Sequence, residues 1–287
     1  MPVRPRRIPG WLPLILPALA VFGLLLAAPL VRLFVESVRT FVSGQVGSSA
    51  NAPLTPQNYA DLLNPVYAYF FLDTFRISLV ATIIAVSVGY AVAFVIARHS
   101  SPAGRKCWLA FLIGVLFLSL LARVYSLALF FSPAGVLRLI TAITGLSSNS
   151  SILNEAFVIA GLLNYLVPIS ALTLIGTIQN VKPRLAEAAQ ALGASRWQSH
   201  LSVTLPLSIR GLLSAFLIDY TLCISAFIVP LILGRGQVLF VSNLIFSRFS
   251  EVANYPSGAA ISVVMLVLSM LIVYGMTRLV EGRWRID

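Results

Sequence analysis

Residues 180–210 read NVKPRLAEAAQALGASRWQSHLSVTLPLSIR. This stretch lies between two long apolar runs and reads as two short helices with a break. Asn180 is suited to cap a helix and Pro183 to occupy its first turn. Leu185, then Ala188 or Ala189, then Leu192 recur at helical spacing and give one apolar face. Gly193 is placed to end that helix, as a residue free to take a positive φ. Ser195 and Gln198 have the spacing of a capping box for a second helix. Trp197 and Leu201, four residues apart, share one face of it, and Leu205-Pro206 closes it. The expected product is an amphipathic hairpin with apolar knobs and basic neighbours, the shape of a docking element for another protein.

The runs on either side decide the solvent. Of 287 residues, 59% are apolar and 10% charged, and the mean hydropathy is +0.93. A soluble domain carries about a quarter charged residues, so a water-bounded core is excluded, and so is disorder. Six segments reach the roughly 20 apolar residues that a bilayer crossing needs: 11–35, 71–97, 107–131, 156–178, 211–233 and 259–280. They lack the alternation of barrel strands. The expected fold is all-α and polytopic, with about six transmembrane helices. The first run exceeds the ~7–15 residues of a signal-peptide core and is read as a retained helix. The divisions are a tail at 1–10, a first span at 11–35, an outer loop at 36–70, a core of five spans at 71–280 that includes the 180–210 loop, and a tail at 281–287. The stretch 136–143 is apolar but too short to cross, and is expected to lie along the interface.

The net charge of +11 would suggest nucleic acid on a soluble protein. Here it reports orientation. With the N-terminus inside, thirteen of the twenty Lys and Arg fall on the cytoplasmic side and five on the outer side, leaving Arg76 and Arg123 within spans. No nucleic-acid partner is implied.

The loop resembles the EAA motif of ABC-importer permeases. Glu187-Ala188-Ala189, three residues, Gly193, nine residues, Val203, Thr204 and Leu205-Pro206 match its pattern, with Val203 where Ile is commoner. The exit of span five, SAFIVPLILG at 225–234, and the stretch from Leu244-Ile245-Phe246 to NYPSGAA at 254–260 resemble the spermidine/putrescine-type branch. The resemblance implies the type I importer permease fold in a bacterial inner membrane. It implies partners: a dimer of ATP-binding subunits, a second homologous permease, an external substrate-binding protein and the lipid bilayer. Glu187, Ala188, Ala189, Gly193, Trp197, Leu201, Leu205 and Pro206 would form the coupling helix that sits in a groove of the ATPase. Glu187 would pair with a basic group there, and Trp197 and Leu201 would anchor it. The implied substrate is a polyamine such as spermidine or putrescine; iron, thiamine, phosphonate or opine permeases of related branches are the alternative, and a self-contained secondary transporter a more distant one.

The chain is not expected to be an enzyme. A P-loop needs a Gly-Lys pair, whereas the two lysines, Lys106 and Lys182, follow Arg105 and Val181. No HExxH or GxSxG occurs, and Cys107 and Cys223 have no metal-ligand or disulfide spacing. ATP and magnesium are expected on the partner ATPase, with no cofactor or metal on this chain. Charges inside spans default to functional hypotheses. Asp219 either faces a translocation path for a cation or pairs structurally, with Arg123 or a partner subunit. Asp73 and Arg76, three apart, can pair on one face. Pro168 and Pro230 interrupt spans and can mark a cavity. Tyr165 and Tyr220, with Tyr90 and Tyr125, can supply cation–π walls or simply pack.

Overall fold

The computed structural model describes residues 12–42, 44, 47, 48, 52–145, 147 and 149–283. The 1–10 tail, Trp11 and residues 284–287 lie outside the described residues, and with them Arg4, Arg6, Arg7 and Arg285 of the charge count.

Among the described residues the regular structure is helical, apart from one isolated bridge between Arg39 and Leu54. In chain order the helices are α1 (Leu12–Ser37), α2 (Gln57–Asp61), α3 (Pro65–Arg98), α4 (Pro102–Phe117), α5 (Leu120–Phe130), α6 (Leu137–Thr144), α7 (Ser151–Asn180), α8 (Pro183–Ala191) and α9 (Arg196–Ser199). A π-helical turn at His200–Thr204 leads into α10 (Leu205–Leu207), followed by α11 (Ile209–Ile224), α12 (Ile228–Leu233), α13 (Val241–Phe246), a second π turn at Ser247–Glu251, and α14 (Tyr255–Arg283). Among the described residues four helices are long and apolar enough to cross a membrane, and up to six spans result if each of two bent pairs counts as one. The short helix α6 falls where the interfacial segment is expected.

Two compact units divide the chain, one of residues 1–65 and 245–266, the other of 66–244 and 267–287. In the first, α1 exposes apolar side chains such as Leu19, Phe22, Leu24 and Leu25, as a helix solvated by lipid does. A polar knot follows it. Glu36 accepts from the Ser48 amide at 3.2 Å and its hydroxyl at 2.8 Å, and Asn58 donates to the Ser37 and Arg39 carbonyls.

The second unit holds the core. Ile77, Ala81 and Ala85 of α3 pack with Val124, Phe157, Leu162, Leu166, Cys223 and Val229. Nearer the hairpin, Ala93 and Ile96 of α3 pack with Leu112, Leu174, Ile178 and Ala215. Gly89 lets α3 approach α7 closely, since a Cβ there would collide with the Ser170 side chain.

Two of the expected spans are not continuous helices. The run at 107–131 bends by 88° between α4 and α5, where Leu118 and Ser119 turn extended (ψ 136° and 125°). The run at 211–233 breaks at residues 225–227, ahead of Pro230. Pro230 then sits in the first turn of α12, where a missing N–H costs no helical bond. The carbonyls at this break accept from side chains, that of Phe227 in addition to the Leu231 amide at 3.2 Å. Ser242 Oγ reaches the Ala226 carbonyl at 2.6 Å and Asn243 Nδ2 the Phe227 carbonyl at 3.0 Å. Irregular backbone at membrane depth survives only when so satisfied. Pro168, by contrast, leaves α7 continuous from Ser151 to Asn180.

Candidate functional site

The hairpin forms as its residues dictate, with one shift at its start. Asn180 is the last residue of α7, and Lys182 rather than Asn180 precedes α8, with Pro183 in its first turn. At the other end Gly193 takes φ +95°. Its amide donates to the Gln190 carbonyl at 2.9 Å, and the Ala194 amide to the Ala189 carbonyl at 3.1 Å. This paired closure satisfies the final carbonyls of α8 and turns the chain sharply. Ser195 then caps α9 reciprocally: the Gln198 amide donates to Ser195 Oγ at 3.2 Å and the Ser195 amide to Gln198 Oε1 at 2.9 Å. Ser199, fully buried, donates to the Ala186 carbonyl at 2.8 Å and locks the two arms together. Leu205-Pro206 does not end the helical path; one turn continues to Leu207, and the direction changes by 66° before α11.

The hairpin presents Glu187 and Ala188 exposed, Ala189 half-buried, and Leu192 and Trp197 at 90% and 69% exposure. Leu201 is 44% exposed, and Leu205 and Pro206 are half-buried. A doubly capped element with bare apolar side chains beside a carboxylate is a surface of the kind that marks interaction sites.

Behind it, a cavity of about 1070 Å³ separates the hairpin from α3, lined by Glu187, Trp197, Leu201 and Leu205 on one side and Tyr90 and Phe94 on the other. His200 bridges the two walls, and nothing in the sequence signals this, because Phe94 and His200 lie far apart in the chain. Burial holds the His200 proton affinity below the ordinary histidine value of 6.5. Arg98 of α3 donates to the Ile178 and Val181 carbonyls at 3.1 and 2.6 Å, a second tie that sequence reading does not find.

The side chains proposed for a translocation path sit inside the bundle of this chain. Asp219 is fully buried, and its partner is Ser170, whose hydroxyl donates to Oδ2, while Oδ1 has no partner among the described residues. Arg123 instead donates to Asn164 Oδ1 at 3.3 Å. Tyr220 is buried and stacks on Phe216 at 5.9 Å. Tyr165 is half-buried against the core, and Pro168 and Pro230 are buried. Tyr125 is 54% exposed. Asp73 and Arg76 pair at 3.2 Å as their spacing suggests, and Glu155 joins them as a third member. Among the described residues no cluster of His, Cys, Asp and Glu could hold a metal.

Residues 107–286 match the family described as "binding-protein-dependent transport system inner membrane component". The chain is 34% identical over 224 residues to the spermidine/putrescine transport system permease protein PotB of Haemophilus influenzae, covering 77% of this chain and 78% of that one. It is 28% identical to PotB of Escherichia coli K12, over 82% and 86% of the two chains. It is 25% identical to the inner membrane ABC transporter permease protein YdcU of the same organism, over 90% and 86%. Among solved structures, a bacterial alginate ABC transporter in complex with an alginate pentasaccharide-bound periplasmic protein has a chain of similar fold, with TM-score 0.74 and 17% identity over 95% and 94% of the chains.

Proposed function

This chain belongs to the family of binding-protein-dependent transport system inner membrane components, and on that premise we propose that it lines the route of a polyamine through an ATP-driven importer. It is a permease subunit of the ABC transport class, a transport component rather than an enzyme. The observation that carries the further reading is the hairpin: doubly capped, exposed at Leu192 and Trp197, and continuous with α7 and α11. An ATPase groove is the partner such a lever fits.

In this reading the hairpin and the N-terminus face the cytoplasm, as the distribution of Lys and Arg supports. Two ATP-binding subunits close on ATP and magnesium, which they alone hold. Glu187 pairs with a basic group of the groove while Ala188, Ala189, Trp197 and Leu201 seat the hairpin, and Gly193 and Leu205-Pro206 set its bend. A second homologous permease completes the route, and an external binding protein delivers the solute. Asp219, with Tyr165 and Pro168 of α7, Tyr220 of α11 and Pro230 of α12, becomes accessible when α7 and α11 part, and offers an anionic step to a cation. Spermidine and putrescine are favoured by the two PotB relatives.

The test is uptake of radiolabelled spermidine into proteoliposomes carrying the complex purified through a tag on this chain. Uptake is expected only with ATP and the external binding protein present. Uptake by this chain alone without ATP overturns the importer reading; ATP-dependent uptake of ferric iron or a phosphonate, with spermidine ignored, overturns the polyamine reading.

A further inference from the structure

The hairpin is joined by the chain to α7 and α11, yet α3, remote in sequence, is fastened to both its ends. At the start, Arg98 donates to the carbonyls of Ile178 and Val181, groups left without intrahelical partners at the end of α7. At the finish, the His200 ring is held from two sides. The Tyr90 hydroxyl lies 3.4 Å from its Nε2. Phe94 meets it edge-on, with centroids 4.4 Å apart, and Trp197 stacks on it at 5.8 Å. His99 packs on Phe94 at 5.8 Å. Between the two fastenings lies the cavity of about 1070 Å³. Close packing therefore does not hold α3 to the hairpin along this interval, and the link passes through a few side chains.

We propose that His200 is a positioning residue of the transport cycle: clasped by Tyr90 and Phe94 of α3 and by Trp197 of the hairpin, it makes α3 travel with the hairpin. The stroke then reaches three helices instead of the two that the chain connects. This rests on the reading of the hairpin as the coupling element.

The clasp suits a neutral ring. Nδ1 is buried and has no hydrogen-bond partner among the described residues, so a proton there would lack an acceptor. The titratable and charged groups lining the same cavity are Tyr90 and Arg98 from α3, His99 just beyond its end, Glu187 from α8 and Arg196 from α9. Since burial lowers the proton affinity of His200, the free ring binds a proton before the clasped one does. The clasp is then at full strength above the ordinary histidine value of 6.5 and weakens as the pH falls through the range below it.

Pulsed electron paramagnetic resonance tests this. Spin labels go on Val95→Cys of α3 and Ser202→Cys of the hairpin arm, in an otherwise cysteine-free complex, with and without trapped ATP. The expected result is an unchanged separation when His200 is present. In His200→Ala it changes with nucleotide by about 2 Å or more, the scale of an interhelical shift, while ATP hydrolysis continues; His200→Phe, which keeps the ring contacts, restores constancy. Acidification below the histidine range makes the unsubstituted protein behave as the alanine variant and leaves the phenylalanine variant unmoved. A separation that changes with nucleotide in the unsubstituted protein at neutral pH, or one that stays constant in His200→Ala, overturns the proposal. If His200→Ala fails to assemble, the acid comparison decides, and a separation indifferent to pH overturns it. A hairpin label that never shifts against the ATPase on nucleotide binding overturns the coupling reading itself, and the clasp with it.

Discussion

Gly193 at φ +95° closes α8, and a side chain with a branched Cβ cannot sit there without strain of about 1–2 kcal/mol. Gly193→Val is therefore expected to reach the membrane in normal amount but to lose ATP-driven uptake, measured as transport per molecule of inserted protein. Asp219 poses a different question, because its only hydrogen-bond partner among the described residues is the Ser170 hydroxyl. An amide can accept that same bond. If the carboxylate serves a cation in transit, Asp219→Asn keeps the thermal unfolding midpoint and loses most spermidine uptake. A purely structural group would leave uptake and midpoint together near normal. These residues also show what sequence alone reveals. Gly193, Ser195 and Gln198 act within a few residues of each other, so their spacing is enough to place them. His200 acts through Tyr90 and Phe94 across 110 and 106 positions of chain, and no local pattern encodes such a meeting.

At the scale of elements, hydropathy locates the spans and is silent on their breaks. The bend at Leu118-Ser119 has no proline or glycine to announce it; it follows from how α4 and α5 pack, α4 with α7 and α5 with both α7 and α12. The break at 225–227 was misplaced toward Pro230, because a proline in the first turn of a helix does not break it. Its stability depends on donors from α13. Asn243 is the tighter case: it gives Nδ2 to the Phe227 carbonyl and accepts the Phe240 amide at 3.0 Å on Oδ1. Asn243→Leu strands the buried Phe240 amide, while the Phe227 carbonyl keeps the Leu231 amide at 3.2 Å, and it is expected to cost about 1–3 kcal/mol, read as a lowered unfolding midpoint of the detergent-solubilised chain. A midpoint unchanged within error would mean that the break is satisfied some other way.

For the whole molecule, the proposed orientation makes the excess of basic residues and the oily composition one property, since the charges that exceed neutrality then mark a single side of the membrane. In the proposed orientation the hairpin stands on that side, built by short-range caps and exposed at Leu192 and Trp197. The proposed function follows from joining the two: spans that carry a solute and a lever that receives force from outside the membrane. The most direct test is a cysteine cross-link from the tip of that lever. With Leu192→Cys, at a position 90% exposed in this chain, and an otherwise cysteine-free permease, the account predicts a single cross-linked species with the ATP-binding subunit in native membranes, its yield altered by ATP. Full ATP-dependent uptake with no cross-link to that subunit from Leu192 would contradict it.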